Sequence, residues 1–167
     1  MDLAVRESPY PALKLGRDIF QVCRLLNEDR NQEALQMVRR LLQENPDVDN
    51  LRDLHRQAEI AVAFESAEYD TFLAKAKEDL ATQPDYPRTV AQVASALACK
   101  YAVTGEENYK AEATETLDKA RALAGSDDAD FKECEERILH RLRTRDIINR
   151  KEYDRRFRSP ATQPAGE

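Results

Sequence analysis

The sequence predicts an all-α protein, and three observations support this prediction. The seven prolines fall in four short regions and leave long proline-free stretches between them. These stretches are rich in Ala, Leu, Glu, Arg, Lys and Gln, which are strong helix formers. No run shows the period-two alternation of β-branched and aromatic residues that is typical of a strand.

The first half of the chain contains four candidate helices, each with apolar residues at i, i+3, i+4 spacing. The predicted ranges are 13–27, 31–44, 51 to at least 62, and 67–82. Their apolar faces carry, in order, Ile19, Val22, Cys23 and Leu26; Ala34, Leu35, Val38 and Leu41; Leu51, Leu54, Ala58 and Ala61; and Phe72, Leu73, Ala76 and Leu80. Pro46 and Pro84 follow the second and fourth helices, where a helix is expected to end.

The second half contains three more candidate helices. Thr89 is predicted to cap the N-terminus of the fifth helix, which ends at Gly105, and the sixth helix covers 106–124 and stops at Gly125. Ser126 and the two aspartates after it are predicted to cap a seventh helix. This helix reaches at least Arg143, and the sequence leaves open whether it continues to Phe157.

The helices are expected to pair. Asn45-Pro46-Asp47 and Gln83-Pro84-Asp85 lie 38 residues apart and suggest a repeat. The clearest pattern combines a large apolar residue, a small residue, an aromatic and a glycine with a second helix of spaced Ala and Leu. Its members are Leu97, Ala98, Tyr101, Gly105, Ala113, Leu117 and Ala120. This pattern resembles the tetratricopeptide repeat (TPR) and extends in weaker form over roughly residues 15–125.

The resemblance implies about three TPR-like helix pairs stacked as a short right-handed superhelix, closed by a C-terminal helix. Cys23, Ala58 and Ala98 would be the small residues at the close helix contacts. The alternative is a generic bundle of six or seven helices. The expected organisation is an extended lead at 1–12, a repeat domain at 13–125, a basic capping helix at 126–157 and a disordered tail at 158–167.

No motif indicates an enzyme or a cofactor. Cys23, Cys99 and Cys134 are widely spaced, and neither they nor His55 and His140 show the spacing of a zinc site. Glycine-rich phosphate loops and the nucleophile elbow of serine hydrolases are absent from the sequence. Buried thiols are the expectation for Cys23 and Cys134, and three unpatterned cysteines favour a cytoplasmic location.

The resemblance also implies a groove lined by the odd-numbered helices. In this family the groove binds extended peptides or partner helices, and the corresponding residues here are Arg17, Phe20, Arg24, Asn27, Arg52, His55, Glu59, Gln92, Ser95 and Cys99. Three of them are arginines near one end, so the expected ligand is an acidic segment or a free carboxylate. The alternative is that these arginines are ordinary solvated side chains.

A second candidate surface is the basic segment 137–158. It carries a net charge of +6 in a chain whose formal charge is −6. The candidate partner-binding residues are Arg141, Arg145, Arg150, Lys151 and Arg155. The alternative is a closing helix that packs on the last pair while its arginines face solvent or bridge to the acidic body of the chain. Contact with RNA or anionic lipid is disfavoured, because the sequence pI is about 5.1 and no nucleic-acid motif is present.

The sequence therefore predicts a non-enzymatic scaffold or adaptor that binds a protein partner through the groove or the basic helix. A self-assembling subunit of a larger complex, with a second copy as partner, is the first alternative. An anionic-surface or RNA binder acting through 137–158 is the second, and an enzyme with an unfamiliar site is the third. Residues 1–15 lack the apolar stretch of a secretory signal, and no apolar run is long enough to cross a membrane.

Overall fold

A computed structural model describes residues 11–125 and 128–158, with side chains described from residue 13 onward. Eight α-helices and no strand lie within these ranges. The helices are α1 (Pro11–Asn27), α2 (Asn31–Glu44), α3 (Asp49–Glu65), α4 (Tyr69–Thr82), α5 (Pro87–Thr104), α6 (Glu107–Ala124), α7 (Ala129–Thr144) and α8 (Arg150–Phe157). The all-α prediction is confirmed.

The helix ends follow local chemistry, with one correction at α5. This helix begins at Pro87, because a proline in the first turn has no N–H to leave unsatisfied. Thr89 is therefore inside the helix and does not cap it. Its hydroxyl donates to the carbonyl oxygens of Gln83 and Tyr86 at 2.7 and 2.8 Å and fixes the preceding turn.

The chain divides into two compact units, Met1–Lys75 and Ala76–Glu167, here called the N-terminal unit and the C-terminal unit. The boundary falls inside α4. In the N-terminal unit, α2 packs against both α1 and α3, and α1 also contacts α3. In the C-terminal unit, α6 packs against both α5 and α7, and α5 also contacts α7. Each unit thus contains a hairpin on which a third helix packs.

The core of the N-terminal unit is made of aliphatic side chains from three helices. Its buried members are Val22, Leu25, Ala34, Leu35, Val38, Leu41, Leu51 and Ala58. Ala58 has no exposed surface, as its predicted place at a close helix contact requires. Cys23 is only partly buried, and the fully buried Val22 beside it is the inward-facing residue of α1.

The core of the C-terminal unit is built around α5. Eleven of the 18 residues of this helix are buried, and many of them are alanines. Small side chains let neighbouring helices approach closely, so α5 can be covered by α6 and α7 together. Ala98 is fully buried, in agreement with its predicted role, and α6 contributes Ala113, Leu117 and Ala120 to this core.

The basic segment forms two helices and not one. α7 ends at Thr144 because Arg145 adopts a left-handed conformation, with φ of 60°. α8 then starts at Arg150 and is capped by Asn149, whose side chain accepts a hydrogen bond from the backbone N–H of Glu152. α7 itself is capped by Asp128, which accepts from the N–H of Phe131 at 2.9 Å.

Some expectations concern parts of the chain that are not described. These are residues 1–10 of the predicted lead, Ser126 and Asp127 within the predicted cap, and residues 159–167 of the predicted tail. The two remaining positions of the predicted lead, 11 and 12, belong to the first turn of α1.

Candidate partner-binding surfaces

The predicted groove residues of α1 share one exposed face. Arg17, Phe20, Arg24 and Asn27 are all exposed, and Phe20 keeps 70% of its surface accessible. The opposite face of α1 packs into the core through Leu15, Ile19, Val22, Leu25 and Leu26. The sequence periodicity thus separates a buried face from a face that combines an aromatic ring with two guanidinium groups.

The arginines of this face form few ion pairs with the described residues. Among the described residues, Arg24 pairs only with Glu28, in the turn that follows α1, at 3.6 Å, and about half of each side chain is exposed. Arg17 has no ion-pair partner within the described part of the chain. Exposed i,i+4 pairs contribute only about 0.3–0.5 kcal/mol. Both guanidinium groups can therefore meet an incoming anion at little cost.

Arg52 is predicted to extend this basic surface, but its side chain forms hydrogen bonds with residues close to it in the sequence. Its guanidinium donates to Asp49 Oδ1 at 3.0 Å and to the carbonyl oxygen of Pro46 at 2.6 Å. These contacts hold the turn before α3. Half of the side chain remains exposed.

His55 and Glu59 lie in a mixed charge cluster formed by α2, α3 and α4. The Glu59 carboxylate is 3.8 Å from Arg39, 3.8 Å from His55 and 3.4 Å from Lys75. Arg39 Nε also approaches His55 Nε2 at 3.4 Å. Burial lowers the pKa of His55, and the surrounding cations Arg39, Lys75 and Arg56 lower it further, while Glu59 opposes them. The folded environment of His55 therefore favours its neutral ring.

The three predicted groove residues of α5 are not exposed. Cys99 is fully buried, which corrects the expectation that it faces the groove, and burial raises the pKa of its thiol to about 11. Ser95 is partly buried, and its hydroxyl oxygen accepts a hydrogen bond from Arg141 of α7. Gln92 is partly buried, and its Oε1 has no hydrogen-bond partner among the described residues. The face of α5 that bears Ser95 thus meets α7, a helix of the same unit.

Arg141 is the main correction to the predicted basic surface. Only 3% of its area is exposed, and its Nη1 donates to Ser95 Oγ at 2.8 Å and to the Ser95 carbonyl oxygen at 3.2 Å. The side chain therefore stabilises the contact between α7 and α5. It has almost no accessible surface to offer a partner.

Arg145 also contacts α5. Its guanidinium donates to the carbonyl oxygens of Ala102 at 3.0 Å and Val103 at 3.5 Å, and it lies 5.8 Å from the ring centroid of Tyr101. Unpaired carbonyls at a helix C-terminus carry partial negative charge, which a cation stabilises. Arg145 therefore caps the C-terminal end of α5.

The basic residues of α8 and its flank form ion pairs with α7 and the connecting segment. Arg150 and Arg158 approach Glu133 at 3.1 and 2.8 Å, and Arg158 also reaches Glu136 at 2.5 Å. Arg156 pairs with Asp146 at 2.8 Å. Hydrogen bonds from Arg155 and Arg156 hold the pKa of Glu152 below its usual range. Arg155 and Lys151 remain exposed.

An aromatic cluster that the sequence did not single out joins α8 to α7. His140 lies 5.7 Å from Tyr153 and 5.1 Å from Phe157, measured between ring centroids, and it is 3.6 Å from Asp146. The 13-residue separation of His140 and Tyr153 gives no local signal. Their contact depends on the reversal at 145–149.

No cluster of three or more His, Cys, Asp or Glu side chains that could hold a metal occurs within the described ranges. Burial also raises the pKa of Cys134, which is the opposite of what thiolate chemistry requires. None of the helices described above is both long and apolar enough to span a bilayer.

The exposed face of α1 is therefore the predicted surface whose side chains remain most accessible, whereas much of the basic segment is engaged within the C-terminal unit. Comparison with models of protein families, with curated proteins and with solved structures gave no match.

Proposed function

We propose that this chain is a TPR-like, non-enzymatic interaction scaffold that binds a protein partner through the exposed face of α1. That face comprises Leu13, Gly16, Arg17, Phe20, Arg24 and Asn27. The observation that carries the proposal is the exposure of the Phe20 ring between two arginines, each within about one helical turn. Large exposed aromatic side chains beside arginine are enriched at the energetic centres of interfaces.

The packing pattern supports the repeat-like part of the proposal. In both units the first helix contacts the second and the third, and the second contacts the third. A tandem array of helix hairpins requires this arrangement, because each new hairpin packs on both helices of the one before it. Small buried residues, Ala58 and Ala98, occupy the positions that the repeat pattern assigns to close contacts.

The charge distribution favours an acidic ligand. α1 carries Lys14, Arg17 and Arg24 against a single acid, Asp18, in a chain of net charge −6. A carboxylate approaching this face meets two guanidinium groups and an apolar ring that loses water on contact. We place this activity in the cytoplasm, in line with three unpaired thiols.

The basic segment has a different role in this proposal. Arg141, Arg145 and Arg158 contact groups within the C-terminal unit, so α7 and α8 close that unit against solvent. This arrangement matches the alternative in which the arginines bridge to the rest of the chain. It leaves less positive charge available for RNA or anionic lipid.

The test compares proteins captured from the native lysate by four immobilised proteins. These are the wild type, Phe20→Ser, the double charge reversal Arg17→Glu/Arg24→Glu, and a matched control reversal, Lys110→Glu/Lys119→Glu, on α6. At least one protein should be captured by the wild type and the control, and lost from both α1 variants. Direct binding of that protein, once purified, should show the same order. Equal capture by all four proteins would contradict the proposed function.

A further inference from the structure

Gly16 has no role that the described structure explains. It lies inside α1, where glycine is disfavoured because it loses more conformational freedom than other residues on folding. A Cβ added at Gly16 would meet no atom within 4 Å beyond its own helix backbone and chain neighbours. Neither tight packing against the described residues nor an unusual backbone angle requires a glycine there.

Gly16 lies on the exposed face of α1, between two large apolar residues. Leu13, Gly16 and Phe20 are spaced i, i+3 and i+7, and therefore share one side of the helix. Leu13 is 63% exposed and Phe20 is 70% exposed. The missing side chain thus leaves a notch between two apolar side chains that point to solvent.

A small residue flanked by large ones is the arrangement that lets a second helix cross closely. Helix axes usually pack 8–10 Å apart, at a distance set by the side chains at the crossing point. Glycine places the crossing at the short end of this range, and the flanking side chains then fill the grooves beside it. An extended peptide presents no helical ridge that would use such a notch.

We infer that α1 docks an acidic α-helix of a partner protein, whose backbone crosses α1 at Gly16. Apolar side chains of that helix pack on Leu13 and Phe20, and its carboxylates pair with Arg17 and Arg24. This inference rests on the proposed function and specifies the ligand of the same surface.

The charges disfavour a second copy of this chain as the occupant. If two α1 helices packed antiparallel around Phe20, Arg17 of one copy would face Arg24 of the other. In a parallel pair, each arginine would lie beside its own counterpart. Both arrangements bring like charges together, which costs free energy at an interface. A helix with glutamates at the flanking positions has the complementary charge.

The test uses three designed 21-residue peptides as probes. The first has an Ala and Leu seam flanked by Glu, the second has Lys in place of Glu, and the third is the Glu peptide with a central proline that breaks the helix. Fluorescence anisotropy would give the affinity of each labelled peptide. The Glu peptide should bind the wild type at least ten times more tightly than the other two.

Substitutions at the notch provide the matched variants. Gly16→Leu should weaken binding of the Glu peptide at least tenfold, and Gly16→Ala should weaken it less. Both variants should unfold at the same temperature as the wild type or higher, since better helix formers enter open space. Lost binding would then not reflect lost folding. Unchanged affinity in Gly16→Leu would overturn the inference, as would equal binding of the proline peptide.

Sedimentation of the unliganded protein tests whether a second copy of this chain binds the exposed face of α1. A concentration-dependent dimer that is lost in Phe20→Ser would assign this face to a second copy and overturn the acidic helix. The two proposals can fail separately. Phe20-dependent capture of a cellular protein together with unaltered binding in Gly16→Leu would retain the proposed function and reject the helix.

Discussion

α1 and the pair α7–α8 are both rich in arginine, but they use this side chain in opposite ways. Arg17 and Arg24 extend from the outer face of α1, and their only ion pair in the described structure is the weak local contact of Arg24 with Glu28. Arg141 and Arg145 instead point inward to α5, where they bind Ser95 and the carbonyls at the helix end. The same functional group provides a candidate ligand site in one region and internal stabilisation in the other.

The difference shows that a count of basic residues does not identify a binding surface. The segment 137–158 has the highest positive charge in the chain, but arginines of α8 and Arg158 after it are paired with Glu133, Glu136, Asp146 and Glu152. α1 has fewer arginines and keeps them accessible. The contrast can be tested at the level of single residues.

The largest difference in stability is expected between two single variants, Arg141→Ala and Arg17→Ala. Arg141→Ala removes charged hydrogen bonds and leaves a cavity in a buried contact, so it should destabilise the C-terminal unit by about 2–4 kcal/mol. Arg17→Ala should change stability by less than about 0.5 kcal/mol, because the side chain is exposed. Denaturant unfolding, with hydrogen exchange of α5 and α7 amides to locate the change, would measure both. Similar effects of the two substitutions would contradict the contrast.

Replacing Gly105 by alanine and replacing Gly16 by alanine are expected to change the free energy of unfolding in opposite directions. Gly105 has φ of 76°, and an added Cβ would lie 3.1 Å from Arg145 Nη1, so Gly105→Ala should destabilise by about 1–2 kcal/mol. Gly16→Ala meets open space in a regular helix and should stabilise by about 0.5–1 kcal/mol. Thermal unfolding of the two variants would decide the matter. A stabilising Gly105→Ala would show that Arg145 does not hold this turn.

A smaller effect is expected from the ion pairs that hold α8. Glu133→Gln removes one of the carboxylate partners of both Arg150 and Arg158, so α8 should open more readily, by about 0.5–1 kcal/mol. Glu115→Gln is the matched control, since Glu115 pairs with Lys119 on the same helix. Exchange rates of α8 amides at low salt and in 1 M NaCl would test this. If α8 exchanged at the same rate in Glu133→Gln and wild type, the ion pairs would not be what holds it.

The smallest effect concerns His55 in the N-terminal unit. Its pKa is lowered in the folded chain, so the folded state favours the neutral ring. The stabilising contribution is present above the unfolded pKa of about 6.5 and is lost as the pH falls through the lower folded value. Unfolding of the wild type between pH 7 and pH 5 should therefore show a loss of under about 1 kcal/mol that His55→Gln lacks. A gain in stability on acidification, absent from His55→Gln, would reverse the sign assigned here.

Much of the fold was predictable from the sequence because its signals are local. The range of α2 was predicted without error, and the ends of α5 and α6 follow from Gly105 and Gly125. The start of α5 was predicted wrongly. Thr89 has the chemistry of a cap, but Pro87 was already suited to the first turn, and the hydroxyl donates backward to the turn before it.

The candidate site was predictable only in part. The exposed face of α1 follows from periodicity, since the residues opposite an apolar stripe face water. The burial of Arg141 could not be predicted, because it depends on α7 packing across α5, where Arg141 donates to Ser95, 46 residues earlier in the chain. The same holds for the contact between His140 and Tyr153, which requires the turn at Arg145.

The sequence by itself determined the helices and the face that each one buries, because helix propensity, proline and glycine positions and apolar spacing act over a few residues. The tertiary structure alone decided which arginines remain accessible. An arginine's role depends on the acceptors that come within about 3 Å of it, and in α7 and α8 many of those acceptors come from another element of the C-terminal unit. The spacing of residues along the sequence does not predict which acceptors will come close to an arginine in the folded chain.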